Sequence, residues 1–208
     1  MSSEGLYIDH VIYGVVDIEA AAARLHDEYG LNAIPGGLHL GGTTNMFVPM
    51  KPPLFLELLG VGDTSKADGA WLAQVLEGRD RPLWWALGVD NLEETAARRG
   101  LAIQAGTGET ADGTRVNFRS AGMPRFPLPF FIDFPVAHEQ RMATWQRRLE
   151  LANHENAPGG YTFVEVGEPL EMLDSWLGDH NLPVRSVGGT IGIKGVGIET
   201  ERGEIVIR

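Results

Sequence analysis

One pattern occurs twice in this chain and returns in weaker form a third time, and it limits the fold more than any other feature. Each copy reads as a strand, a short capped helix ending at glycine, and further strands. The first opens at Ile8-Asp9-His10-Val11-Ile12-Tyr13-Gly14-Val15 and closes at Leu54-Phe55-Leu56-Glu57-Leu58-Leu59. The second opens at Leu83-Trp84-Trp85-Ala86-Leu87-Gly88-Val89 and closes at Phe130-Phe131-Ile132-Asp133-Phe134. Each closing strand carries one carboxylate in an apolar run, Glu57 or Asp133. Two such modules can form a cup whose inner wall holds those acids, which directs attention to a small-molecule site.

The punctuation supports this division. Asp17 reads as an N-cap, Ile18, Ala21, Ala22, Leu25 and Tyr29 recur at helical spacing, and Gly30 fits the left-handed stop. Asn91 and Glu94 have capping-box spacing, with Gly100 as the stop. The third copy begins at Tyr161-Thr162-Phe163-Val164-Glu165-Val166. Pro169 falls in its first helical turn, with Leu170, Leu173 and Leu177 on one face. Two β segments follow, joined by a turn at Glu201-Arg202-Gly203. The expected organisation is a paired-module unit over 6–135, a helical connector over 136–160 and a third module over 161–208. In the first connector Trp71, Leu72, Val75 and Leu76 form one helix face; in the second, Trp145 docks on the sheet or serves a partner surface.

Composition removes several classes of function. A chain of 208 residues with 43% hydrophobic content can bury a substantial core. The absence of cysteine excludes disulfides, zinc ribbons and thiol chemistry. A formal net charge of −11 argues against a nucleic-acid partner, since phosphate binding needs clustered Lys and Arg. Met1-Ser2-Ser3-Glu4-Gly5 lacks a signal-peptide pattern, and no apolar run approaches the roughly 18 residues of a membrane span. The expectation is a soluble cytoplasmic protein that engages neither nucleic acid nor membrane. A Gly-x-Ser-x-Gly elbow, a P-loop and a dinucleotide fingerprint in context are all missing, so a serine nucleophile and a nucleotide cofactor are not expected.

Strand parity sharpens the site. Side chains alternate, so Ile8, His10 and Ile12 share one face and Asp9, Val11 and Tyr13 the other. In the closing strand, Leu54, Leu56 and Leu58 make the natural helix-packing face. That leaves Glu57 pointing into the cup beside Phe55 and Leu59, where an unpaired carboxylate is costly to bury. A metal ion with His10 satisfies it; so does a hydrogen bond from Asn45, Thr44 or an arginine. His10 is then either a ligand or a core histidine bonded to a strand neighbour. By module correspondence Asp133 falls where Glu57 does, and it either reaches the same cavity or pairs with Arg119 or Arg115. Trp84 stands where the second module would carry the counterpart of His10. His39 lies in a glycine-rich loop just before the strand with Asn45.

These residues resemble a known family. Asp9-His10-Val11, Gly36-Gly37-Leu38-His39, Gly42-Thr43-Thr44-Asn45 and Phe55-Leu56-Glu57-Leu58 are similar in order and spacing to the glyoxalase-like branch of the vicinal oxygen chelate superfamily. The resemblance continues through Trp85-Ala86-Leu87 and Leu128-Pro129-Phe130-Phe131-Ile132-Asp133. It implies an α+β fold of paired βαβββ modules whose curved sheets enclose a cavity, with a partial third module completing the sheet or serving a homodimer interface. It also implies a divalent metal (Zn, Mn, Ni or Fe) held by His10 and Glu57 with His39 or Asp133 assisting, although Trp84 removes one of the family's four ligands. Glu57 is the implied mobile base of a lyase or isomerase that stabilises an oxyanion. Asn45, Phe55, Trp84 and Arg119 are the candidate substrate contacts. Two alternatives stay open: a metal-free binder of a hydrophobic or aromatic small molecule, and an enzyme using its acids without metal.

Overall fold

The caps expected from the sequence set the first elements. Strand β1 (Tyr7–Val15) gives way to α1 (Ile18–Tyr29) where Asp17 Oδ1 accepts the Ala20 N–H at 3.0 Å, and α1 stops at Gly30 with φ 71°. In this computed structural model, which describes residues 5–110, 113, 115–123, 128–167 and 170–208, the module continues through β2 (Ile34–Leu38), β3 (Thr43–Pro49) and β4 (Phe55–Val61). Helix α2 (Ala67–Leu76) leads to the second module: β5 (Arg81–Gly88), α3 (Leu92–Arg99), β6 (Ile103–Glu109), β7 (Arg115–Ala121) and β8 (Phe130–Asp133). Asn91 caps α3 by accepting the Glu94 N–H at 3.0 Å. After α4 (His138–Ala152) come β9 (Pro158–Val166), α5 (Leu170–Leu177), β10 (Val184–Ser186), β11 (Ile193–Thr200) and β12 (Gly203–Ile207).

The first two modules share one eight-stranded sheet in the order β2-β3-β4-β1-β5-β8-β7-β6. In each, the opening strand lies parallel to its closing strand, β1 on β4 and β5 on β8, while β1 and β5 pair antiparallel at the centre. The sheet curls until its edge strands β2 and β6 approach each other. Gly36-Gly37, expected in a loop, belongs to β2 instead. A Cβ on Gly36 would lie 2.0 Å from Asn45 Oδ1, and one on Gly37 would lie 1.6 Å from the Glu109 carbonyl oxygen. Only glycine permits those approaches.

The third unit is also βαβββ but is wired differently. Its four strands run β10-β9-β11-β12, with β9 parallel to the strand just after its helix and antiparallel to β11. Strand β9 starts at Pro158, earlier than the expected Tyr161, because Pro158 pairs with Thr200. Pro169 lies outside the described residues.

The large sheet has two different faces. Val11, Tyr13, Leu56, Leu58, Trp85, Leu87 and Phe131 form the outer one and share a core with Val164, Val166, Val196 and Ile198 of the small sheet. Ile12, Leu59, Ala86, Phe130 and Ile132 form the inner one, covered at one end by Leu72 and Leu76 of α2. At the other end α4 lays Trp145 flat on Phe55, with ring centroids 4.2 Å apart, and edge-on to Phe47. No helix among the described residues is long and apolar enough to cross a membrane.

One irregularity matters for the site. Ile8 pairs with Leu87 and His10 with Ala86, so Asp9 is an extra residue with no opposite number, a β-bulge. Ile8 therefore joins the outer core while His10 and Ile12 face inward, and the alternation that puts Ile8 on the face of His10 is broken at Asp9.

Candidate active site in the cup

His10 and Glu57 meet on the inner wall. They stand on adjacent parallel strands, with His10 opposite Phe55 and Glu57 opposite Ile12, and His10 Nε2 lies 3.8 Å from Glu57 Oε2. That is too long for a hydrogen bond but close enough for both atoms to act on one small group. Glu57 Oε1 accepts from Asn45 Nδ2 at 2.8 Å, and Asn45 Oδ1 accepts the Gly37 N–H at 2.8 Å. Phe55 stacks on the imidazole (4.4 Å, 15°) and Phe130 meets it edge-on, so the ring is buried and pinned.

Three residues that sequence reasoning missed, Asp9, Arg141 and Tyr161, complete the cluster, with Tyr7 supporting Arg141. Asp9, fully buried, sets Oδ1 2.8 Å from His10 Nδ1 and pairs through Oδ2 with Arg141 Nη2 of α4. Arg141 Nη1 donates to the Tyr7 hydroxyl at 2.8 Å. Burial pushes the Asp9 carboxyl up, but the hydrogen bonds and charges of His10 and Arg141 outweigh it and hold Asp9 below its ordinary range. Burial and the Asp9 charge raise the Tyr7 phenol. The third is Tyr161, whose hydroxyl enters from the small sheet behind. It accepts the Val11 N–H at 3.0 Å and donates to the Phe55 carbonyl at 2.5 Å, bridging β1 and β4 at the level of His10. Burial drives that phenol far above its usual range. One signal was readable: aspartate inside a strand is disfavoured and asks for a reason.

The other sequence candidates lie elsewhere. Asp133 sits one residue out of phase with Phe130 and Ile132, on the α3 side of the sheet. There it is paired with Arg119, which also pairs with Glu93 in the first turn of α3. Of the two readings of Asp133, the pairing with Arg119 is the one this register gives, and neither residue reaches the cavity: the closing strands of the two modules present their acids to opposite faces. His39 is in the β2–β3 turn with Nδ1 2.7 Å from Thr43 Oγ1. Trp84 does face inward, opposite Ile12, but lies stacked under Trp71 of α2 (5.1 Å, 10°).

The donor set bears on the metal that the resemblance implies. His10 Nε2 and Glu57 Oε2 are two facing donors, while the matching positions of module two are Trp84 and the apolar residues of β8. No group of three or more His, Cys, Asp or Glu side chains suited to a metal converges among the described residues. Two donors do not make the three- or four-ligand centre that holds a resident transition metal. A cleft of about 490 Å³ lies between β2–β3 and the β6–β7 end and is lined by Gly36, Gly37, Leu38, Met46 and Glu109 among others. Ile18 and Glu19 of α1 also line it, and it includes Asn45, the partner of Glu57, but neither Glu57 nor His10.

A family model described as glyoxalase-like domain matches residues 8–170. No curated protein matches the sequence. Among solved structures, a hypothetical protein from Staphylococcus aureus is 14% identical, with 90% of this chain and 88% of that chain covered at a TM-score of 0.65. A Streptomyces coelicolor methylmalonyl-CoA epimerase variant in complex with 2-nitronate-propionyl-CoA is 17% identical over 63% of this chain and 96% of that one, with a TM-score of 0.48. The Mycobacterium tuberculosis methylmalonyl-CoA epimerase is 16% identical over 64% and 89%, at 0.47.

Proposed function

The chain belongs to the glyoxalase-like domain family, and on that premise we propose that it is a small-molecule isomerase or lyase in which Glu57 moves a proton next to a substrate carbonyl. The observation that carries the reading is the facing of His10 Nε2 and Glu57 Oε2 at 3.8 Å on the inner wall of the cup. A carboxylate and an imidazole side by side suit removal of a proton from one atom and its return to the neighbouring atom on the same face of the substrate. Asn45 orients the carboxylate, and Phe55 holds the ring flat. The adjoining strands β5 and β8 contribute Trp84, Ala86, Phe130 and Ile132, which carry no charge and suit the apolar part of a substrate. The substrate classes that the resemblance implies, 2-oxoaldehyde hemithioacetals and CoA thioesters, are acidic at the carbon beside their carbonyl.

Solvent deuterium incorporation into a panel of those compounds, followed by NMR, tests the reading on the wild type and on Glu57→Gln. Exchange in the wild type that drops at least about a hundredfold in Glu57→Gln is the expected result, at the low end of what a positioned acid–base group supplies. Exchange that survives in Glu57→Gln removes Glu57 from the chemistry. The metal-dependent form of the reading asks Zn, Mn, Ni or Fe to complete its coordination with water or substrate. Exchange that appears only after one of these ions is added, and not in His10→Gln, selects that form. The second reading, a metal-free binder of an aromatic or hydrophobic molecule, is favoured by the Trp71–Trp84 stack; tight binding without exchange in any arm selects it.

A further inference from the structure

The pair just described depends on a third group that strand parity hides. We propose that Asp9, clamped by Arg141 of α4, is a positioning residue that fixes the His10 proton on Nδ1 and so turns the bare Nε2 lone pair toward Glu57. This rests on the reading of His10 and Glu57 as the reacting pair.

The bulge is what brings Asp9 to His10. In a regular strand the Asp9 side chain would fall on the outer face with Val11 and Tyr13. The extra residue in the β1–β5 register lets its carboxylate reach the ring of the next residue instead. Its two oxygens are both engaged, Oδ1 with His10 Nδ1 and Oδ2 with Arg141. A carboxylate only accepts, and so the 2.8 Å contact requires a hydrogen on Nδ1. The tautomer of an imidazole follows the hydrogen bond made by its other nitrogen. At 3.8 Å Glu57 makes no competing hydrogen bond that would draw the proton to Nε2.

The clamp is built to stay in place. Arg141 donates to the Tyr7 hydroxyl and lies over the Phe134 ring at 4.3 Å, so its guanidinium is fixed from two further directions. The His10 ring cannot turn over to exchange its nitrogens without leaving its stack on Phe55 and giving up Asp9. Helix α4 is thereby part of the site: one turn supplies Arg141 and the next supplies Trp145, which presses on Phe55 from the far side.

The test is a long-range proton–nitrogen correlation spectrum of the ¹⁵N-labelled full chain at neutral pH, which reports which ring nitrogen of His10 carries the hydrogen. The wild type is expected to show a protonated Nδ1 and a bare Nε2. The double variant Asp9→Leu/Arg141→Met removes both charges together and leaves no unpaired ion that would unfold the protein. It is expected to move the proton to Nε2. A wild-type ring protonated on Nε2, or on both nitrogens, overturns the proposal without any variant. A double variant that keeps Nδ1 protonated overturns it as well. The readout involves no substrate, so a wild type with the expected tautomer and no deuterium exchange would defeat the reaction and leave the positioning role standing.

Discussion

The two halves of the cup have the same topology and opposite chemistry. Module one lines its inner wall with His10, Asn45 and Glu57, backed by Asp9. Module two lines the matching wall with Trp84, Ala86, Phe130 and Ile132, and sends its own acid, Asp133, to the far side to meet Arg119. A repeat that conserves strand order therefore does not conserve function. One residue of phase in a closing strand moves a carboxylate from a cavity to a helix-packing face. The cup is thus one-sided, with polar groups from module one beside apolar residues from module two.

Each half carries an arginine–aspartate pair, and breaking them gives the largest contrast. Arg141→Met strands a fully buried carboxylate and is expected to cost about 3–5 kcal/mol in denaturant unfolding. Arg119→Met, at a pair that is partly open to solvent, is expected to cost less than about 1 kcal/mol. Equal costs would mean that the halves do not differ in how they hold charge. The next effect comes from Tyr161, which serves module one alone. Tyr161→Phe leaves the Val11 N–H and the Phe55 carbonyl without their bridge, for an expected loss of about 1–3 kcal/mol. A wild-type midpoint in the variant would show that β1 and β4 close on each other directly.

The smallest effect is one of pH and concerns the tether of α4 to module one. His154 Nε2 donates to the Pro49 carbonyl at 2.8 Å, and its Nδ1 accepts the Asn32 N–H at 2.9 Å, an arrangement that requires the neutral ring. Burial holds its pKa below the ordinary value, against the opposing effect of the Pro49 bond. As pH falls below about 6.5 the unfolded chain takes up a proton that the folded chain refuses. The contribution is thus complete above that value and lost on acidification toward the folded pKa. Urea midpoints of the wild type should fall more steeply with acid than those of His154→Gln; parallel curves would remove the tether from the account.

Much of this is legible in the sequence alone. The caps at Asp17 and Asn91 and the stops at Gly30 and Gly100 follow from local chemistry, and the module order follows from the repeat. Parity alone turns Glu57 inward, because the leucines beside it need the opposite face. Asn45 was among the partners its carboxylate called for, as Arg119 was for Asp133. What parity could not supply is the bulge: one inserted residue leaves no mark in a pattern of period two, so parity puts Ile8 on the face of His10 and misses the Asp9–His10 contact. Nor could it supply Arg141 or Tyr161, which reach β1 from 132 and 150 positions away. Contacts of that span have no periodic signature. The wiring of the third unit was hidden for the same reason, since its helix and strands read alike whether β9 pairs with β10 or with a later strand.

The Tyr161 bridge has a consequence for the order in which the molecule is made. Domains form from the N-terminus as the ribosome releases them, and a nascent chain that has emerged only as far as β8 already carries His10 and Glu57. It lacks the guanidinium that holds Asp9 and the hydroxyl that ties β1 to β4. The two modules that define the cup are therefore translated well before the cup is finished. A truncated product ending at β8 would hold His10 and Glu57 without their supports, and the residues that follow β8, more than a third of the chain, decide when that pair is held in place.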